Sequence, residues 1–291
     1  MRYSVRLYRE FRLKTMPNIS PDGWPAQSPK LMERFANPGR FIRVTQWLLP
    51  LLTIAGFITL AVGLVWALIF APADWQQGET VRIMYIHVPM AILASTGYFL
   101  LAICGASSLV WRHPIANIAA REIGPIGATV TALCLITGSL WGKPMWGTWW
   151  VWDARLTSVL LLFFLYIGHI ALIRGFDDAQ RGYRAASILA LAGVVDLPII
   201  KFSVNWWNTL HQPDSITLTH APAMSLSMLL PLAVCMVGFF LGFAALVTGQ
   251  VRAALLEIKW RRTRFSDRYE AFFDEVNAPA ITAQAVTREE G

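Results

Sequence analysis

The chain has 291 residues, 55% of them hydrophobic and 15% charged, with a formal net charge of +7 and a mean hydropathy of +0.47. A soluble domain carries about a quarter charged residues, so this composition excludes an ordinary water-soluble globule. It points to an all-α polytopic membrane protein, because lipid admits only helices and closed barrels and the apolar runs here are too long for barrel strands. The positive charge does not signal nucleic-acid binding: the basic residues lie in tails and short loops, where membrane orientation accounts for them.

Residues 1–46 are polar and basic, with prolines at 17, 21, 25, 29 and 38. No apolar segment of signal-peptide type lies near Met1, so a cytoplasmic tail is expected, with a mitochondrial presequence as the alternative. Six apolar segments follow, at about 47–70, 84–110, 123–140, 157–173, 185–200 and 224–247, with ends uncertain by two to four residues. They divide the chain into a basic tail (1–46), a six-helix transmembrane domain (47–247) and a C-terminal tail (248–291). The fourth and fifth segments are short for a bilayer core of about 30 Å, so each is expected to take in flanking residues.

Orientation follows from lysine and arginine. With both termini in the cytoplasm, that side holds twenty-one of the twenty-five basic residues and the far side only Arg82, Lys143, Arg155 and Lys201. The positive-inside rule selects this arrangement. Three loops then face the far side: 71–83, 141–156 and 201–223. The three cysteines, Cys104, Cys134 and Cys235, fall inside apolar runs and form no C-x-x-C or C-x-x-C-H. They read as packing residues, and they exclude covalent c-type haem attachment and thiol redox chemistry of that kind.

The middle far-side loop is the most unusual stretch. Residues 141–157 read WGKPMWGTWWVWDARLT and hold five of the thirteen tryptophans: Trp141, Trp146, Trp149, Trp150 and Trp152. Tryptophan favours the membrane surface because its ring is apolar while its indole N–H needs a partner. One reading is an aromatic belt that anchors two helix ends. The other is a ligand platform: if 146–153 is a short interfacial helix, Trp146, Trp149, Trp150 and Asp153 share one face and make an aromatic shelf for a large planar apolar ligand. Gly142 and Gly147 leave room for turns, and Pro144 stiffens a bend.

Five histidines complete the inventory. His113 is expected to make a loop or headgroup contact, and His169 to pack inside a helix. His87 and His211 flank the tryptophan loop on the far side, where His220 competes with His211. Neutral imidazole is the usual protein ligand of haem iron. Pro89 suggests a helix start with His87 near its positive end, which disfavours imidazolium. Arg82, Lys143 and Arg155 lie on the same side, either as partners for anionic ligand groups or as ordinary snorkelling bases. Asp153 is expected to organise the loop by accepting N–H groups and pairing with Arg155. Asp196, inside a membrane run and five residues before Lys201, is a functional flag without a sharper assignment.

The stretch WGKPMWGTWWVWDARLTS resembles the WWD signature of haem-handling proteins of cytochrome c assembly, and within them the haem exporter protein C (CcmC) family. The resemblance extends to FAPADWQQG (Phe70–Gly78), RIMYIHVPMA (Arg82–Ala91) and NWWNTLHQ (Asn205–Gln212), and so covers most of 47–247. It implies a bacterial inner-membrane protein with a periplasmic WWD loop. It also implies haem b (iron protoporphyrin IX) held by His87 and His211 as axial ligands, against Trp141, Trp146, Trp149, Trp150, Trp152 and Asp153; of the bases on that side, Arg82, Lys143 and Arg155 are then the candidates to pair with its propionates. His220 has no match in that pattern. The implied role is to load haem onto a membrane-anchored haem chaperone in which a histidine bonds to a haem vinyl. The implied partners are that chaperone, a small membrane subunit, and the ATP-binding and membrane subunits of an ABC transporter. The chain has no G-x-x-x-x-G-K-[ST], so ATP would be handled by a partner. A haem lyase of the wider WWD group, a b-type electron-transfer subunit and a purely structural membrane subunit stand as alternatives. The length and six segments count against the first, and the one-sided histidine pair against the second.

Overall fold

A computed structural model describes residues 37–111, 113–207, 209–211 and 224–289. Residues Arg43–Val251 form one compact unit, and the described residues outside it, 37–42 and 252–289, belong to a second. Among the described residues there are seven α-helices: α1 (Pro38–Val65), α2 (Met84–Trp111), α3 (Pro114–Trp146), α4 (Ala154–Arg174), α5 (Ala179–Gly193), α6 (Asp196–Trp206) and α7 (Leu226–Glu289). A π-helical turn, Trp66–Phe70, extends α1, and a 3-10 turn, Glu79–Ile83, leads into α2.

Among the described residues, six stretches are long and apolar enough to cross a bilayer: Pro38–Phe70, Glu79–Trp111, Ile115–Trp146, Ala154–Arg174, Ala179–Trp206 and Leu226–Arg264. The protein is an all-α multi-pass membrane protein, as the composition requires. Each span reaches beyond its apolar segment at one end or both; the fourth, 157–173, extends to Ala154–Arg174 and the fifth, 185–200, to Ala179–Trp206, as their shortness implied. The fifth is two helices, α5 and α6, separated by a short irregular step at Val194–Val195.

The ends of the helices follow from local chemistry. His113 caps α3, its Nδ1 accepting the Ala116 N–H at 3.3 Å, and Pro114 fills the first helical position, where no amide donor is needed. Gly147 stops α3 in the left-handed region at φ 76°, a conformation that costs other residues about 1–2 kcal/mol. Asp153 caps α4 by accepting the Leu156 N–H at 2.8 Å, and Asp178 caps α5 through Gln180 N–H at 2.9 Å.

Within the compact unit, α2, α3, α4 and α5 share a core of Ala94, Tyr98, Leu101, Ala120, Ile123, Ala128, Leu162, Tyr166 and Ala190. Tyr98 and Tyr166 meet edge to face at 5.1 Å, and the Tyr166 hydroxyl donates to the Ala94 carbonyl at 2.9 Å. Glycine makes this possible: a Cβ at Gly127 would stand 2.2 Å from the Tyr166 ring. Helix α1 packs on α7 through small residues, Gly56 on Gly242, Gly63 on Cys235 and Gly238 on Leu60. This is the close backbone approach that lipid-embedded helices use, where apolar burial gives little driving force. Cys134 and Cys235 are buried, Cys104 is half-buried and none is paired, which fits packing roles. His169 likewise packs inside α4, with Nδ1 3.2 Å from the Ala186 carbonyl oxygen. Asp196 begins α6 and is buried, and its carboxylate has no hydrogen-bond partner among the described residues.

Candidate functional site

The stretch 71–83, the start of α2, the end of α3, the loop 147–153 and the segment 209–211 meet at one end of the compact unit. The first loop is built around Asp74. Its Oδ1 accepts the Gln76 and Gln77 N–H groups, both at 2.9 Å, and its backbone pairs with Gly78, which turns the chain at φ 57°. The turn aims the Gln77 side chain at α3, where its Oε1 accepts the Trp141 indole N–H at 2.9 Å. Trp141 in turn stands edge-on to His87, with ring centroids 5.7 Å apart.

His87 is buried in the first turn of α2, where Pro89 pointed to a helix start. Its Nδ1 lies 3.1 Å from the Cys134 carbonyl oxygen and 3.1 Å from Thr137 Oγ1. A carbonyl can only accept, and the Thr137 hydroxyl already donates to Leu133 at 2.7 Å. We therefore assign the ring proton to Nδ1, which leaves the lone pair on Nε2. Metal-ligating histidines are typically oriented in this way, with the other ring nitrogen donating to a carbonyl. Gly138 admits the ring, since a Cβ there would stand 2.9 Å from Cε1.

His211 faces His87. The two imidazole centroids are 6.5 Å apart and the ring planes are 21° from parallel. With a metal–nitrogen bond of about 2.0 Å, and a ring centre about 1.1–1.2 Å beyond each nitrogen, two imidazoles trans across one metal have centroids about 6.3 Å apart. The centroid distance of this stacked pair is close to that spacing. Among the described residues no three His, Cys, Asp or Glu side chains gather as a metal site. Two donors alone suit a metal that brings its remaining ligands, as porphyrin iron does.

The tryptophans divide by role. Trp146, on the last turn of α3, stands edge-on to His211 at 5.5 Å. Trp149 and Trp152 are exposed, at 56% and 75%. Trp150 packs edge-on to Trp152 at 5.5 Å, and its buried indole N–H has no partner among the described residues. The expectation of a short helix over 146–153 is not met: α3 runs on to Trp146, Gly147 ends it, and 148–153 is non-helical. The shelf is therefore formed by a helix end and an extended loop rather than by one helix face.

The charged groups are already engaged. Arg82 pairs with Glu79 at 2.5 Å and donates to the Ala67 carbonyl at 2.8 Å. Lys143 donates to the Gly147 carbonyl at 2.9 Å and lies 5.9 Å from the Trp149 ring centre. Arg155 donates to the Lys201 carbonyl at 3.3 Å. Asp153 accepts the Leu156 N–H and, on its second oxygen, the Thr209 hydroxyl. His113 lies at the other end of α3, and His220 falls outside the described residues.

A family model described as "Heme exporter protein C" matches residues 31–266. The chain belongs to the haem exporter protein C family. A "Heme exporter protein C" of Bradyrhizobium diazoefficiens is 48% identical over 244 residues, covering 84% of this chain and 92% of that protein. The Escherichia coli protein of the same name is 47% identical over 239 residues, covering 82% and 96%. A "Putative cytochrome c biosynthesis ccmC-like mitochondrial protein" of Marchantia polymorpha is 43% identical over 192 residues, covering 66% and 81%. The stretch matched by the family model includes all the residues assembled above.

Gln77, Thr137, Gly138 and Thr209 were not singled out from the sequence, and Cys134 was read only as a packing residue, although each touches a histidine or a tryptophan of the site. Two of them stood in quoted motifs, Gln77 in ADWQQG and Thr209 two residues before His211. The partners in α3 carried no signal, because a threonine and a glycine inside an apolar run read as ordinary helix packing.

Proposed function

We propose that the protein binds haem b as cargo, with His87 and His211 as axial ligands, and hands it on for c-type cytochrome assembly. The observation that carries this reading is the facing pair of imidazoles, 6.5 Å between centroids and 21° from parallel, one of them with Nδ1 turned to a carbonyl. Iron within the porphyrin supplies the coordination that draws both imidazoles. Trp141 and Trp146 wall the pair edge-on, while exposed Trp149 and Trp152 offer apolar surface to the macrocycle or to a partner. Arg82, Lys143 and Arg155 place positive charge at the same end for the propionates, together with the buried Trp150 N–H as a donor.

In this reading the site faces the periplasm and both termini the cytoplasm, an orientation supported by the positive-inside count. A shallow site at a membrane surface suits handover, because a partner reaches the porphyrin edge there. The recipient in this reading is the membrane-anchored haem chaperone. The small membrane subunit and the ABC transporter subunits are the co-workers, and the ATP-binding subunit supplies energy for release. The relatives named for haem export, and the one named for cytochrome c biosynthesis, support this role.

The test is the optical spectrum of the detergent-purified protein loaded with haem, beside His87→Ala and His211→Ala. Each single variant is expected to convert a six-coordinate spectrum into a five-coordinate one or to lose haem. Wild-type spectra from both variants would overturn the ligand assignment.

A further inference from the structure

We propose that Asp153 and Thr209 form a strut that positions His211 for ligation, an inference that rests on the ligand reading above. His211 lies in a non-helical segment beyond the end of α6 at Trp206, unlike His87, which is built into a helix. A ligand on irregular backbone must be held by specific bonds, because ordering each residue costs about 1–2 kcal/mol.

The bonds run in one continuous line. Asp153 is buried and divides its two oxygens: Oδ1 caps α4 by accepting Leu156 N–H at 2.8 Å, and Oδ2 accepts the Thr209 hydroxyl. The Thr209 oxygen accepts the His211 backbone N–H at 3.1 Å. A hydroxyl donates once and accepts at its lone pairs, so Thr209 passes the fixed position of the α4 terminus to the backbone of His211 in two steps. This gives the aspartate of the tryptophan-rich loop a function distinct from contact with haem. It couples that loop to the segment carrying the ligand, so that Trp146 and His211 keep their edge-on geometry at 5.5 Å. Asp153 and Thr209 are positioning residues.

The experiment uses the full-length protein in detergent, loaded with haem, as Thr209→Val, Thr209→Ser, Asp153→Asn and His211→Ala. Thr209→Val keeps the shape and deletes the hydroxyl. It is expected to raise the five-coordinate fraction and to speed haem loss by roughly three- to tenfold, the size of one hydrogen bond's net contribution. Added imidazole should restore the six-coordinate spectrum, as it should in His211→Ala, and Thr209→Ser should behave as the wild type. Asp153→Asn is expected to give the same spectral change as Thr209→Val to a smaller degree. In the haem-free protein, hydrogen exchange of the peptide containing His211 should quicken in Thr209→Val and not in Thr209→Ser. This arm reads the strut even where haem loading fails. If Thr209→Val keeps the wild-type spectrum, haem-loss rate and exchange while His211→Ala loses ligation, the strut is wrong and the ligand reading stands. If His211→Ala itself keeps the wild-type spectrum, the ligand reading fails and the strut's role in ligation fails with it.

Discussion

Replacing Gly138 by alanine probes how His87 is held without touching either ligand. The added Cβ would stand 2.9 Å from the His87 Cε1 and 3.5 Å from Nδ1. Carbon atoms rest about 3.5–4.0 Å apart, so the ring must retreat by roughly 0.6–1.1 Å. Its Nδ1 bonds to Cys134 and Thr137 are 3.1 Å now, and a shift of that size away from them takes them to or past the limit of about 3.5 Å at which a hydrogen bond is lost. Overpacking costs about 1–3 kcal/mol and a lost hydrogen bond about 0.5–1.5 kcal/mol net. At about 1.4 kcal/mol per factor of ten, haem affinity should fall by roughly ten- to a thousandfold where that cost falls on the liganded geometry. Where the haem-free protein takes up the same clash, the gain of about 1 kcal/mol from glycine to alanine inside a helix offsets only part of it, and thermal unfolding reads that share. The assay is haem titration of Gly138→Ala beside thermal unfolding of the haem-free form. Gly242→Ala is the control, since a Cβ there meets nothing within 4 Å. Wild-type haem affinity and spectrum in Gly138→Ala would refute the claim that this surface of α3 sets the position of the His87 ligand.

Other outcomes follow from the same structure. Gly127→Ala drives a methyl to 2.2 Å from the Tyr166 ring, so α3 and α4 must part, and thermal unfolding should show a loss at or above about 3 kcal/mol. Tyr166→Phe removes only the hydroxyl bond to Ala94 and should cost about 1 kcal/mol in the same assay. Gly147→Ala forces φ 76° on a residue with a side chain. It should cost about 1–2 kcal/mol and shift the tryptophan emission of the loop. Burial holds the His113 imidazole below its ordinary pKa, and its ring accepts the Ala116 N–H only when unprotonated. A depressed folded-state value means this stabilisation is full above the unfolded value of about 6.5 and is lost as pH falls through the folded one. His113→Asn keeps a capping acceptor that does not titrate, so it should flatten the acid-side decline of thermal stability below about pH 6.5.

The spans were legible because lipid imposes one requirement on every segment, a long apolar helix, and composition alone answers it. The meeting of 71–83, 147–153 and 209–211 at one end was legible from the alternation of spans. What escaped was local. Gly142 and Pro144 read as a turn, yet α3 continues to Trp146 before Gly147 stops it. A proline in the last turn kinks a helix more readily than it ends one when the surrounding lipid offers no other backbone partners. The step between α5 and α6 was missed too. Its signal was Pro198, which falls in the first turn of the restarted helix, behind Asp196 at its first position. The histidine pair was readable from residue type and membrane side. The bonds that hold it, from Cys134, Thr137 and Thr209, were not, because a hydrogen bond between distant segments leaves no periodicity to read.

The central claim is that His87 and His211 bind one iron from opposite faces, and electron paramagnetic resonance of the ferric haem-loaded protein tests it most directly. Two imidazole planes 21° from parallel lift the degeneracy of the iron d orbitals, so the account predicts a rhombic low-spin spectrum that disappears in His87→Ala and in His211→Ala. A high-spin signal in the wild-type protein, or a low-spin signal that survives either substitution, would contradict it.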